Sequence, residues 1–279
     1  MTRTGLVDFQ GQPAVGLAAP DGARAVVLLH GGHVASWIPA GGEEQLYLSP
    51  TTRYGAGQAV RGGVPVIFPQ FSARGPLPRH GLLRTRDWAL DEAMVRGRHA
   101  QAVLRIGADA ELRSLWPHDF EAEITVSVGG RQIDIELAVV NRGDAAFDFQ
   151  AALHTYLRVK DVERVQLEGL QGMAYEDSLN GQSQRQWGDV TTVVGEIDRI
   201  YGEVPGPLRL RELGRRLEIQ AHHLPDVVVW NPGAQKCAQL ADMPAEDWRN
   251  MLCVEAALVL RPARLEPGEE WSGMQTIIA

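Results

Sequence analysis

Two cysteines, Cys237 and Cys253, are all the thiol chemistry that 279 residues contain. They are too few for a disulfide framework and lack the paired spacing of a zinc site, so free thiols in a reducing compartment are expected. Long apolar runs are missing as well. The longest, at 25–29 and 256–260, hold about five residues, against the ~20 that a membrane helix needs. The opening stretch, 1–19, has one early base, Arg3, but Asp8, Gln10 and Gln12 interrupt any apolar core, which excludes a secretory leader pattern. A cytoplasmic protein without a membrane partner is expected. Positive charge is in deficit too: 27 Lys and Arg against 35 Asp and Glu leave a net charge of −8, the wrong sign for a nucleic-acid binder. That balance leaves room for a small anion, because a few converging guanidinium groups can hold one phosphate whatever the total charge.

Long helical periodicity is the next absence, and alternation stands in its place. In 121–128, Ile124, Val126 and Val128 alternate with Glu123, Thr125 and Ser127. Gly129 and Gly130 follow, and then Ile133, Ile135, Leu137 and Val139 alternate with Gln132, Asp134, Glu136 and Ala138. Two alternating runs joined by a glycine pair predict a β-hairpin. Similar runs occur at 26–29, 103–106, 147–159, 216–221, 227–230 and 251–260. One short helix is predicted over 243–250, where Pro244 follows Asp242. No repeat or linker divides the chain. The reading is all-β, an antiparallel β-sandwich forming a single domain over 1–279, with less than about a tenth of the residues helical.

Three segments could carry chemistry. If 147–159 is extended, Phe147, Phe149, Ala151, Leu153, Thr155, Leu157 and Val159 share one face. Asp148, Gln150, His154, Tyr156 and Arg158 share the other, a polar row that suits either solvent or a pocket. In 251–260, Leu252, Val254, Ala256, Leu258 and Leu260 form one apolar face, and the opposite face is apolar except for Glu255. A strand apolar on both sides is buried on both. A carboxylate there needs a partner, a ligand or a raised pKa, and burial is also how a general base is tuned toward neutral pH. An ion pair with an arginine fits that segment equally well. The third segment, 61–88, has Gly62 and Gly63 after Arg61, then Pro65, Pro69, Pro76 and Pro78 among Arg74, Arg79, His80, Arg84 and Arg86. A proline-stiffened loop rich in arginine suits an anion site or a charged surface loop.

Read together, these pieces resemble the glucose-6-phosphate 1-epimerase family, the hexose-phosphate branch of the aldose 1-epimerases. The matching segments are R-G-G-V-P-V-I-F-P at 61–69, P-R-H-G-L-L-R at 78–84 with Trp88, L-H-T-Y-L-R-V at 153–159, D-R-I-Y at 198–201, V-V-W-N-P at 228–232, C-V-E at 253–255 and L-E-P-G-E-E-W-S-G-M-Q at 265–275. The resemblance implies a galactose-mutarotase-like β-sandwich with a broad sugar groove. It implies His154 as catalytic acid and Glu255 as catalytic base, Arg61 and Arg84 on a phosphate, and Asp198 and His80 on the sugar. Arg79 is grouped with these as substrate-binding. It departs from the family pattern, as does Gln70, both in the presumed pocket wall. The implied partner is a small-molecule hexose phosphate, glucose 6-phosphate foremost, handled by a monomer with no cofactor and no metal. The alternatives are a mutarotase for unphosphorylated aldoses and a non-catalytic sugar-phosphate-binding protein. A cupin-type metal enzyme is disfavoured because no H-x-H pattern sits on one strand. His154 and Glu255 fall on different predicted strands and are expected to flank a sugar ring rather than to pair with each other.

Overall fold

The computed structural model describes residues 4–279; Arg3 lies outside the described residues. Strands hold 51% of the chain and helices 8%, within the expected tenth. The predicted hairpin is formed by Phe120–Gly129 and Gln132–Asn141, with Val128 opposite Ile133. Its two-residue turn starts at Gly130, whose φ of +58° an L side chain would resist. The alternating apolar set, Ile124, Val126, Val128, Ile133 and Ile135, is fully buried. One-sided burial explains why the alternation was readable: a one-residue slip would move every apolar side chain into water.

This hairpin lies near one end of a nine-stranded antiparallel sheet. Two strands of that sheet matter below, Arg215–His222 and Glu270–Ile278, which are neighbours in it. The facing layer is an eight-stranded sheet centred on Met251–Leu265. On one side Met251–Leu265 pairs with Asp226–Asn231, and beyond that comes Ile197–Tyr201. On the other side it pairs with Phe147–Leu153 and, further along, with Tyr156–Arg158. A four-stranded sheet spanning Gly5–Phe9 to His33–Ile38 continues this layer through the bridges Val34↔Val64, Leu46↔Leu157 and Leu48↔Gly62.

A continuous apolar core fills the space between the layers, from Val15 to Ile277, with Trp37, Phe68, Leu104, Phe149 and Tyr201 fully buried. Each such side chain contributes about 1.5–3 kcal/mol, so the fold has no need of a disulfide. Cys237 and Cys253 are both free and buried. Leu153 and Leu157, with Leu252, Val254, Ala256 and Leu258, join this core as their alternation predicts. The opposite faces of the same strands carry a smaller cluster of Ile67, Phe71, Ala152, Ile200, Val228, Ala257 and Val259. Phe71, Ile200 and Val228 of that second cluster line a cavity.

Two expectations need correction. The run 147–159 is not one strand: Phe147–Leu153 and Tyr156–Arg158 are separated by His154 and Thr155. The helix expected over 243–250 is only a 3-10 turn at Asp247–Asn250. Asn231 donates its side-chain amide to the carbonyls of Trp248 and Met251, both at 2.8 Å, which draws the chain into the next strand before a helical ladder can form. A short helix at Ala110–Leu115 was not anticipated, although Asp109 caps it by accepting from the Leu112 N–H at 2.7 Å.

Candidate active site

The interruption at His154 and Thr155 leaves the register intact. Leu153 stands opposite Ala256 and Tyr156 opposite Cys253, so His154 faces Glu255 directly across the ladder. The His154 N–H points the other way and donates to the Pro65 carbonyl at 3.0 Å. His154 and Glu255 therefore form a non-hydrogen-bonded cross-strand pair, the kind whose side chains approach most closely. Their side chains meet at 3.4 Å, His154 Nδ1 to Glu255 Oε1, with the residues 7% and 2% exposed. The expectation that they only flank a sugar is overturned: they are immediate neighbours. They do not neutralise each other's hydrogen-bonding capacity, since His154 Nδ1 and Glu255 Oε2 have no hydrogen-bond partner among the described residues.

Both groups sit at the base of a cavity of about 600 Å³. Burial raises the Glu255 carboxyl well above the usual range, and the nearby Asp198 raises it further. Burial lowers His154 to about 3, helped by the positive charges of Arg84 and Arg61. The imidazole lies flat on the Tyr156 ring at 4.9 Å and takes the edges of His80 and Trp230 at 5.4 and 6.2 Å. With aromatic rings on three sides, its orientation is fixed.

The arginines arrive from the 61–88 segment. Gly62 and Gly63 adopt φ of +108° and +59°, and a Cβ at either would strike the carbonyls of Tyr47 or Val34, so the strand can enter the groove only with glycines there. Arg61 reaches the cavity but is already engaged: it pairs with Asp242 at 3.2 Å and donates to the Tyr156 hydroxyl at 3.0 Å. Arg74 pairs with Glu176, and Arg86 leaves the groove to make a bidentate pair with Glu111. Arg79 and Arg84 also line the cavity, and neither has a carboxylate partner among the described residues. Among the described residues the buried Arg84 Nε has no acceptor, while Arg84 Nη2 donates to the Arg79 carbonyl at 2.9 Å. Two guanidinium groups without carboxylates on the lining of one cavity could hold an anion. His80, at φ +66°, packs edge-on against Phe71 and His154. Asp198 lines the cavity too, its carboxyl raised by burial. All seven residues expected at the site thus line this cavity.

Comparisons with known proteins bear on the family and the fold. The family model described as aldose 1-epimerase matches residues 13–277. The chain belongs to the aldose 1-epimerase family. It is 34% identical over 269 residues to a Cenchrus ciliaris protein, covering 90% of this chain and 81% of that one. Against an Escherichia coli K12 protein it is 33% identical over 240 residues, covering 84% and 79%. Both relatives carry the name "putative glucose-6-phosphate 1-epimerase". A solved Salmonella typhimurium structure described as a "putative mutarotase" superposes with a TM-score of 0.91 at 28% identity, covering 100% of this chain and 95% of that one.

Within this aldose 1-epimerase fold the cavity also recruits residues that sequence reasoning did not single out as site residues. Tyr156 had a signal, its place beside His154 in the polar row. Trp230 had a weaker one in V-V-W-N-P. Lys236, held by Glu196 at 2.5 Å, had none, because its helix Gly233–Cys237 is too short for periodicity to show. Cys253 had been set aside for lack of metal-ligand spacing along one strand. Across strands, however, the ligand atoms of His154, Cys253 and Glu255 all lie within 4.8 Å of one another, a donor set that suits a soft divalent cation. Gln70, the other departure from the family pattern, faces its own loop. It donates to the carbonyls of Ser72 and Leu77, both at 3.0 Å, and accepts from the Leu77 N–H at 2.9 Å.

Proposed function

We propose that this chain interconverts the α and β anomers of a hexose 6-phosphate, with glucose 6-phosphate the foremost candidate. The observation that carries the reading is the combination of an unpartnered carboxyl and imidazole 3.4 Å apart with two guanidinium groups that lack carboxylates in the same cavity.

Anomer exchange opens and recloses the sugar ring. The proton on the anomeric O1 leaves, the ring oxygen O5 gains one, the C1–O5 bond breaks and an aldehyde forms. Rotation about C1–C2 then presents the other carbonyl face to the O5 hydroxyl, and the proton transfers run in reverse. O1 and O5 are both bonded to C1, so a base and an acid that address them must themselves be close neighbours. Cross-strand opposition provides that closeness. Glu255, lifted by burial, takes the O1 proton, and His154 delivers one to O5, each transfer being worth ~10²–10⁴-fold.

The phosphate has an electrostatic part beyond anchoring. Burial above all, and then Arg84 and Arg61, disfavours the charged imidazole. A dianion seated against Arg84 and Arg79 offsets the arginines' share of that field and favours transfer of the proton held by the raised Glu255 carboxyl to His154. A phosphorylated sugar thereby readies the acid, whereas free glucose lacks the charge to do so. Magnetisation-transfer NMR on glucose 6-phosphate beside free glucose tests the reading. Enzyme-dependent exchange is expected chiefly for the phosphate. Equal exchange of both would transfer the assignment to a mutarotase for unphosphorylated aldoses, and exchange of neither would leave a binding protein.

A further inference from the structure

We infer that Gln275, acting with Thr155, is a positioning residue for anomer exchange: it fixes the backbone on which His154 and Glu255 face each other. The inference rests on the acid–base reading above, and it starts from the backbone hydrogen bonds at the strand break.

Thr155 stands opposite Val254 in the unbroken register, and the Val254 N–H donates to the Thr155 carbonyl at 3.1 Å. In a regular antiparallel pair the Thr155 N–H would return a bond to the Val254 carbonyl. It does not. It folds back onto the Leu153 carbonyl of its own strand at 2.9 Å. The Val254 carbonyl is thereby stripped of its ladder partner in a residue with no solvent exposure, a condition that native structures almost always repair.

The repair comes from the opposite layer. Gln275, on strand Glu270–Ile278 of the nine-stranded sheet, donates its Nε2 to the Val254 carbonyl at 3.1 Å. Its Oε1 accepts from the Thr155 hydroxyl, and both side chains are 0% exposed. Thr155 thus uses its inward face, predicted as core, to close a ring of three hydrogen bonds joining Thr155, Val254 and Gln275. Each strand residue in that ring is the chain neighbour of one member of the acid–base pair: Thr155 of His154, Val254 of Glu255.

A leucine would pack this inter-sheet space without a polar group to satisfy, so the carboxamide is conspicuous in an apolar core. What it permits is the fold-back at 153–155, which bends the chain at His154 without leaving an orphaned carbonyl. Gln275 also closes the L-E-P-G-E-E-W-S-G-M-Q segment, none of whose residues lines the cavity.

The experiment measures kcat and KM by NMR exchange, together with melting temperature, for Gln275→Leu, Thr155→Val and Thr155→Ser. Asn141→Ala is the control for lost stability. Asn141 is equally buried and makes three hydrogen bonds, but it takes no part in the cavity. Displacement of reacting groups by about 1 Å can cost ~10²-fold, so Gln275→Leu should lower kcat by ~10–100-fold. Its KM should stay within about twofold, as expected when ground-state binding is spared. Thr155→Val should lower kcat less, Thr155→Ser should restore it, and Asn141→Ala should lose melting temperature with kcat per folded molecule unchanged. Wild-type kcat in folded Gln275→Leu, or equal kcat losses in it and in Asn141→Ala, overturns the inference. If Gln275→Leu does not fold, the threonine pair decides, and wild-type kcat in Thr155→Val overturns it. Glu255→Gln and His154→Asn are run alongside. If they keep turnover, the acid–base reading itself fails; if they lose it while Gln275→Leu does not, only the positioning role fails.

Discussion

Replacing Glu255 with glutamine removes one charge from the base of the groove while keeping shape and volume, so stability and turnover should move in opposite directions. The wild-type carboxyl is 2% exposed, and its Oε2 has no hydrogen-bond partner. Its pKa in the folded protein is raised well above the ordinary glutamate value, first by burial and then by Asp198. A group raised on folding binds more protons in the native state, so wild-type stability is lost as pH rises from the unfolded value through the folded one. Glutamine does not titrate. The variant should therefore melt close to wild type near pH 4 and increasingly above it toward neutrality. Each pH unit between the unfolded value and the raised folded one costs the wild type ~1.4 kcal/mol and the variant nothing. At roughly 2–4 °C per kcal/mol for a large domain, the rise is on the order of 5 °C per pH unit. Exchange per folded molecule should fall ~10²-fold or more with substrate affinity little changed, and His154→Asn should match that kinetic loss. Differential scanning calorimetry from pH 4 to 8, paired with NMR exchange, reads both quantities. A lower melting temperature at pH 8 would make Glu255 a structural ion-pair partner, and normal exchange would remove it from the mechanism.

Further outcomes are expected. Arg84→Ala should raise KM for glucose 6-phosphate by about 10- to 150-fold, the worth of a charge-assisted contact, and leave residual activity on free glucose unchanged; equal losses on both would make the loop structural. His33 and His154 are each lowered to about 3 by burial, and burial lowers His80 as well. The unfolded chain therefore takes up these protons first as pH falls below 6.5, and stability should decline with acid by up to ~1.4 kcal/mol per pH unit per group; a melting temperature flat from pH 7 to 5 would contradict this. EDTA should leave exchange intact, because the proposed proton transfers use only side chains. Cd²⁺ should inhibit by bridging His154, Cys253 and Glu255, and Cys253→Ser should weaken that inhibition; undiminished inhibition in the variant would place the ion elsewhere.

Much of this molecule was legible because most of its strands are buried on one face only. The hairpin at 120–141 and the two faces of 147–153 follow from period-two alternation, and the lone carboxylate in 251–260 announced itself by contrast with its neighbours. What stayed hidden lies across strands rather than along them. No local pattern reveals that 154 and 255 share a register position, or that Arg61 is matched by Asp242. The fold-back at Thr155 was also invisible, because its compensation comes from Gln275, 120 residues on. The resemblance pointed to His154 and Glu255, and the register showed that the two side chains are neighbours.

Gln70 ties the turn from Phe71 to Leu77 to itself through three bonds, all made within the loop. The segment that delivers Arg79, His80 and Arg84 to the cavity therefore begins with a locally folded unit, and His154 and Glu255 stand on a separate foundation of paired strands. Substitutions that reshape the loop can accumulate while His154 and Glu255 stay in register. Across generations, one sandwich can hold its chemistry constant while its choice of sugar drifts.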